Sequence, residues 1–136
     1  MALFQLLHDL GNFKFANDKN RNDQTPLFFA RSSKETKLLL DHGAVPNVQD
    51  HEGNTPLHFA KTPNQTLVLL MHGANPHARN HEGRTPLHEA IYMHQANLLV
   101  RYGANPNVHD KDGNTPAIYH EQRQRNFFHL LLEELI

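Results

Sequence analysis

The segment "GNTPLHFA" occupies residues 53–60, and "GRTPLHEA" occupies residues 83–90, thirty positions later. The Thr-Pro pair of this segment appears four times at a constant period of 30, at residues 25–26, 55–56, 85–86 and 115–116. A Gly-Ala pair that follows an apolar triplet recurs in the same phase, at residues 43–44, 73–74 and 103–104. Self-similarity at a fixed period of 20–50 residues is typical of a solenoid built from stacked units.

Each unit carries the start and stop signals of two helices. Threonine is a good N-cap and the following proline fits the first helical position, so "PLHFA" predicts a short first helix. Ser32 with Glu35 forms a capping-box pattern, and Thr62-Pro63 repeats the cap-then-proline signal, so a second helix is expected to begin at each place. The glycine of Gly-Ala then ends that helix as a C′ residue. The polar stretch that follows, rich in Asn, Pro and Gly, predicts an extended finger with a tight turn.

This sequence resembles the ankyrin repeat family through "TPLH" at 55–58 and 85–88 and "HGA" at 42–44 and 72–74. The resemblance implies an all-α, ankyrin-type solenoid of stacked helix-turn-helix units with β-hairpin fingers. It also implies a curved surface that binds other proteins. Ankyrin units usually contain about 33 residues, whereas these repeat every 30. The shortage lies between the Thr and the Gly, so the helical part of each unit is expected to lack close to one turn.

The period divides the chain into five parts. Residues 1–24 are predicted to form an N-terminal half repeat, with a capping helix over 2–10 and an irregular finger over 12–24. Three ankyrin repeats and a C-terminal capping repeat are expected to follow, at 25–54, 55–84, 85–114 and 115–136.

Composition argues against several classes of protein. The net charge is −1 and the pI is near 6.9, without the basic excess typical of nucleic-acid binding. There is no cysteine, no segment of 18 apolar residues and no signal-peptide pattern at the N-terminus. We therefore expect an intracellular, cytoplasmic protein without nucleic-acid or membrane partners. Short ankyrin proteins are also delivered by intracellular bacteria into host cells, an alternative that the sequence leaves open.

Histidine is the only residue type that suggests chemistry, with 12 copies. In the family, the histidine of the "TPLH" motif bonds the threonine of its own motif, so His58 and His88 are expected to be structural. "HEAIYMH" at 88–94 departs from the zinc motif H-E-x-x-H, because its second histidine is six rather than four positions along. We expect no metal site, no cofactor and no enzymatic activity.

The favoured function is a non-catalytic module that binds a partner protein through the finger row and the concave helix face. A binding surface on a scaffold should vary between units while the frame stays fixed. The positions that vary in this way are Gln49, His51, Glu52, Asn54, Arg79, His81, Glu82, Arg84, His109, Lys111 and Asn114. The alternatives are a metal-binding protein or small enzyme that uses the histidines, and a structural piece that assembles with itself.

The C-terminal segment "FFHLLLEELI", residues 127–136, is unusually apolar for the end of a solenoid. Terminal repeats normally turn a polar face outward, because no further unit covers them. Two alternatives are open: the last residues fray or fold back over the core, or they form a second contact surface for self-association or for a partner. We expect Leu132 or Leu135, or both, to be exposed in the monomer, where a symmetric end-to-end dimer could bury them.

Overall fold

The computed structural model describes residues 15–134, although the side chains of 126–132 and 134 lie outside the description. Seven helices occupy this part of the chain: α1 (Pro26–Phe29), α2 (Ser33–Asp41), α3 (Pro56–Phe59), α4 (Pro63–Met71), α5 (Pro86–Glu89), α6 (Met93–Arg101) and α7 (Pro116–Glu134). No β-strand occurs between residues 15 and 134, and the all-α solenoid is confirmed. The helix predicted over 2–10 falls outside the described residues, as does the side chain of Leu132 and the whole of Leu135.

The first helix of each complete unit is a single turn. Helices α1, α3 and α5 each contain four residues, and α1 and α3 are 3-10 helices. Each begins with Pro after a threonine N-cap in extended conformation, as the sequence predicts. The turn is short because an extended alanine ends it, at Ala30, Ala60 or Ala90. The three-residue shortage of the repeat therefore coincides with a first helix of one turn.

At the start of the second helices, side chains accept hydrogen bonds from backbone N–H groups that have no partner within the helix. Ser32 Oγ accepts from the Glu35 N–H at 3.1 Å, and Thr62 Oγ1 accepts from the Gln65 N–H at 3.1 Å. The Glu or Gln side chain three residues after the cap accepts from the N–H of the residue before the cap. In a capping box it would accept from the N–H of the cap residue itself. Glu35 accepts from the Arg31 N–H, and Gln65 accepts from the Lys61 N–H, both at 3.0 Å. These paired bonds make the break between first and second helix.

The same second helices end at the predicted glycines. Gly43 has φ of +93°, a left-handed conformation in which a side chain is strained. The Gly43 N–H donates to Leu40 O at 3.1 Å, and the Ala44 N–H donates to Leu39 O at 3.0 Å. This pair of bonds is the Schellman motif, and the equivalent bonds close α4 and α6.

Helices of the same kind stack on one another from unit to unit. First helices pack in the order α1, α3, α5, α7, and second helices in the order α2, α4, α6. One leucine per second helix lies at the centre of each layer: Leu39, Leu69 and Leu99. The core is thus a continuous strip that grows by the same side chain at each step.

The last unit departs from this pattern. Helix α7 runs without a break from Pro116 to Glu134, whereas each earlier unit is divided into a first and a second helix. The breaks in earlier units need an acceptor side chain at the position of Glu35, Gln65 and Gln95, and Gln95 accepts from the Ile91 N–H at 3.0 Å. The equivalent residue here is Arg125. A guanidinium has only donors, so it offers no acceptor to hold a break.

Candidate partner-binding face

An Asx side chain closes every finger. Asp50 Oδ1 accepts from the N–H groups of Glu52 and Asn54, at 3.0 and 2.8 Å. The Asp50 N–H donates to Asn54 O at 2.8 Å, and the Gly53 N–H donates to Asp50 O at 3.0 Å. Each predicted β-hairpin is thereby reduced to its turn. Equivalent Asx side chains make the same pair of bonds in the other fingers, from Asn20, Asn80 and Asp110.

The tip of the first finger is regular, in contrast to the irregular finger expected over 12–24. Asn20 Oδ1 accepts from the Asn22 and Gln24 N–H groups at 2.9 and 3.0 Å. Asp23 takes the place of the finger glycine with φ of +60°, a conformation that Asp tolerates better than most residues. The turn is hard to recognise in the sequence because Asp23 stands where the other fingers have glycine.

Backbone hydrogen bonds join each finger to the next. The His51 N–H donates to Asn22 O at 2.8 Å, and the His81 N–H donates to Glu52 O at 2.9 Å. The Lys111 N–H donates to Glu82 O at 2.9 Å. The four fingers therefore form one row, in which the tip residues are held at a fixed spacing.

A second set of ties uses side chains that the sequence assigned to the binding surface. Asn54 is buried, and its Oδ1 accepts from Asn80 Nδ2 at 2.8 Å. The Arg84 guanidinium contacts Asp110 Oδ2 at 3.5 Å and Tyr119 Oη at 3.1 Å. Asn114 also donates to Tyr119 Oη, at 3.3 Å. Asn54 and Arg84 thus belong to the frame that holds neighbouring fingers together, and Asn114 ties the last finger to α7.

Hydrogen bonds keep the buried carboxylate of Asp110 ionised. Burial alone would raise the pKa of Asp110, but donors from Tyr119, the Asn114 and Asp112 N–H groups and Arg84 outweigh it and hold the pKa at about 2. The Arg84 guanidinium also lies 4.8 Å from the centre of the Tyr119 ring, a cation–π contact. Asp110 is therefore ionised and fixed at neutral pH.

The remaining predicted residues are exposed along the finger row: Gln49, His51, Glu52, Arg79, His81, Glu82, His109 and Lys111. Gln49 and Arg79 keep one side chain bond each to their own finger, to Gly53 O at 3.3 Å and Gly83 O at 3.0 Å. Arg79 also donates to His109 O in the next finger at 2.6 Å. The structure brings all eight onto one edge of the solenoid with mixed charge.

The inner side of the first helices adds four residues that sequence reasoning did not single out. They occupy the fourth position after each threonine: Phe29, Phe59, Glu89 and Tyr119. Phe29 is 59% exposed and Phe59 is 41% exposed. A depression of about 150 Å³ is lined by Phe59 together with His51 and Glu52, so this row is continuous with the fingers. The sequence could have indicated these residues, because the residue type changes at this one position of an otherwise constant motif.

The motif histidines join adjacent units. His58 Nδ1 accepts from the Thr55 N–H at 3.0 Å and lies 3.0 Å from Thr55 Oγ1. Its Nε2 lies 2.9 Å from Arg84 O, so the proton is on Nε2. His88 repeats this arrangement between Thr85 and Asn114 O. Burial lowers the pKa of both imidazoles, and both ring nitrogens are used structurally.

Among the side chains that the structure describes in residues 15–134, no group of three or more His, Cys, Asp or Glu could hold a metal ion. Within the same range, no helix is both long enough and apolar enough to cross a bilayer.

Comparison with known families agrees with the architecture. The model for ankyrin repeats in three copies matches residues 61–135, and the model for ankyrin repeats in many copies matches residues 34–60. No individual curated protein matches the chain. Ankyrin repeats are generally protein–protein interaction modules, and the family is typically non-catalytic. With matched models over most of its length, and with the period, caps and stacked helices described above, the chain belongs to the ankyrin repeat family.

Proposed function

We propose that this protein is a non-catalytic module that binds a partner protein through one face, formed by the finger row and the inner side of the first helices. One observation carries the proposal: on this face the frame positions are bonded and constant in role, whereas the exposed positions change from unit to unit. Asp50, Asn80 and Asp110 all close their fingers. The residue at the inner position changes from the exposed Phe29 and Phe59 to the half-buried Glu89 and Tyr119 further along.

The proposed face has two halves of different chemistry. Its N-terminal half exposes the rings of Phe29 and Phe59, and Phe59 is fixed by edge-to-face packing on Phe28 with centroids 5.8 Å apart. Its C-terminal half carries the bonded charges of Arg84 and Glu89, 3.7 Å apart. Aromatic anchors contribute much of the binding energy in protein interfaces, and charged groups contribute partner choice and association rate. A partner with an apolar anchor beside a charged segment fits this division.

The experiment compares capture of interacting protein by the native chain and by two variants. Phe29→Ser with Phe59→Ser removes both exposed rings, and Met71→Ser serves as the control because Met71 is 67% exposed on α4 and does not belong to the face. We expect the double variant to lose at least tenfold in affinity while it stays folded by circular dichroism, with a lower melting temperature because Phe59 packs on Phe28, and the control to bind normally. Equal retention of the partner by both variants would place the site elsewhere.

Finger variants test the other half of the proposal. His51, Glu52 and Lys111 are the suitable positions, because they are exposed and their side chains make no tie between fingers. Arg84 is unsuitable, since its removal also breaks contacts to Asp110 and Tyr119. Exposed charges are screened over about 8 Å at physiological ionic strength, so association through the fingers should weaken with added salt. Metal analysis of the purified protein tests the rival histidine-based function, which requires stoichiometric metal.

A further inference from the structure

The last second helix, α6, exposes a flank that is covered on the two helices before it. Leu40 on α2 is 8% exposed and Leu70 on α4 is 5% exposed, whereas Val100 at the equivalent position of α6 is 45% exposed. The difference follows from stacking: α4 covers α2, and α6 covers α4. The flank of α6 that would contact the next second helix is therefore open over the described residues.

This flank lacks the threonine hydroxyl that its counterparts carry. Thr36 and Thr66 each accept a hydrogen bond from a glutamine of the next unit, Gln65 and Gln95, at 3.2 and 3.1 Å. The equivalent residue on α6 is Ala96, which has no hydroxyl to offer. Met93, at the start of the same flank, is 60% exposed. A solenoid end is expected to be polar, so an apolar stripe here indicates a surface that another helix covers.

Helix α7 does not cover the flank in its own chain. It packs against α5, where Arg123 donates to Ala90 O at 2.6 Å and His88 O at 3.2 Å. A groove of about 360 Å³ remains between the helices, with Met93, Val100 and Ala117 in its lining. Because α7 continues as one helix past residue 125, its distal half does not form a separate second helix like those of the earlier units.

We propose that residues 126–134 of a second copy of this chain cover the α6 flank, so that two copies exchange the distal halves of their α7 helices. The exchanged segment contains nine residues, the length of each second helix in the stack. Its sequence, "NFFHLLLEE", is rich in apolar residues. Exchange of an identical element is a low-cost route to a symmetric dimer.

This inference goes beyond the proposed function, because it concerns the end of the solenoid and a partner of known sequence. A second helix is the element that the repeat places against α6. Second helices cover second helices at each earlier step, and the unit after α6 supplies its second-helix residues in a straightened form.

Cross-linking between two single-cysteine variants tests the exchange, since the native chain has no cysteine. Full-length Asn97→Cys and Leu131→Cys proteins are mixed and treated with a bis-maleimide that spans about 8–10 Å, the distance between packed helices. We expect a covalent dimer of one chain of each kind. The control replaces Asn97→Cys by Met71→Cys, which places the thiol on α4 and should give no such product.

A double variant with both cysteines in one chain identifies the occupant. At low protein concentration, an intramolecular cross-link would show that the chain covers its own groove and would overturn the proposal. Sedimentation provides an independent reading: the native protein should dimerise, Val100→Asp should raise the dissociation constant at least tenfold, and Met71→Asp should leave it unchanged. A native protein that stays monomeric at the highest accessible concentration overturns the exchange.

Discussion

Threonine-to-valine substitutions at two equivalent positions should have opposite effects on stability. Thr25 and Thr55 are both buried N-caps with nearly the same backbone angles, φ −92° and ψ 168° against φ −102° and ψ 165°. Thr55 Oγ1 lies 3.0 Å from His58 Nδ1. In the first unit Phe28 replaces that histidine, and Thr25 Oγ1 has no hydrogen-bond partner among the described residues.

The magnitudes follow from the fate of each hydroxyl. Thr55→Val removes one buried hydrogen bond and should lower the free energy of unfolding by about 1 kcal/mol. Thr25→Val removes a buried hydroxyl whose desolvation is uncompensated, and should raise the free energy of unfolding by about 1 kcal/mol. Valine suits the extended backbone at both sites, so backbone effects cancel in the comparison. In a chain of 136 residues, each change corresponds to roughly 3–5 °C in melting temperature.

Urea denaturation followed by circular dichroism at pH 7.5 measures both free energies, and the shift in midpoint at constant slope gives the difference. The expected gap between the two variants is about 2 kcal/mol. Equal destabilisation by both substitutions would refute the reasoning, because it would mean that the Thr25 hydroxyl is hydrogen-bonded in solution.

Three further predictions concern the ties between units. The folded state lowers the pKa of His58, first through burial. Below pH about 6.5 the unfolded chain therefore binds more protons than the folded chain, and the free energy of unfolding falls. In urea titrations, His58→Phe should lower the free energy of unfolding at pH 7.5 but reduce its fall between pH 6.5 and 5. Gly53→Ala should destabilise more than Gly113→Ala, because both glycines have φ near +80° but only an added Cβ at 53 meets the next finger, at 2.9 Å; equal midpoints would contradict this. Tyr119→Phe removes a hydrogen-bond donor to the Asp110 carboxylate. That carboxylate stabilises the fold above pH about 4 and loses this effect as the pH falls towards 2. NMR titration should show a higher pKa for Asp110 in the variant than in the native protein.

Local signals in the sequence were sufficient for the helices and their order. Thr-Pro starts, the Ser32 and Thr62 caps and the glycine stops act within one turn of the chain, so their physics does not depend on distant residues. Repetition then identified the solenoid, because a unit that cannot bury its own apolar side must stack on a copy of itself.

Which polar residues belong to the frame was decided by contacts 26 positions apart. Asn54 and Arg84 differ in chemistry and were interpreted as variable surface, yet each bonds the Asx residue of the next finger, as Gln24 does in the first finger. Gln24 and Arg84 donate to the aspartate of the next finger, whereas Asn54 accepts from Asn80, so different side chains fill the same place in the frame. Sequence variation alone therefore could not separate Asn54 and Arg84 from the exposed residues beside them.

The sequence by itself determined the repeat, the caps and the position of every turn in residues 25–114, because these depend on local backbone preferences and on a periodic apolar pattern. Only the tertiary structure decided that the inner face begins with exposed aromatic rings and that α7 runs straight past α6. Both outcomes depend on which neighbour lies beside a side chain. Exposure is a property of the stack, and the break missing from α7 reflects a lost acceptor at Arg125 within an otherwise familiar repeat.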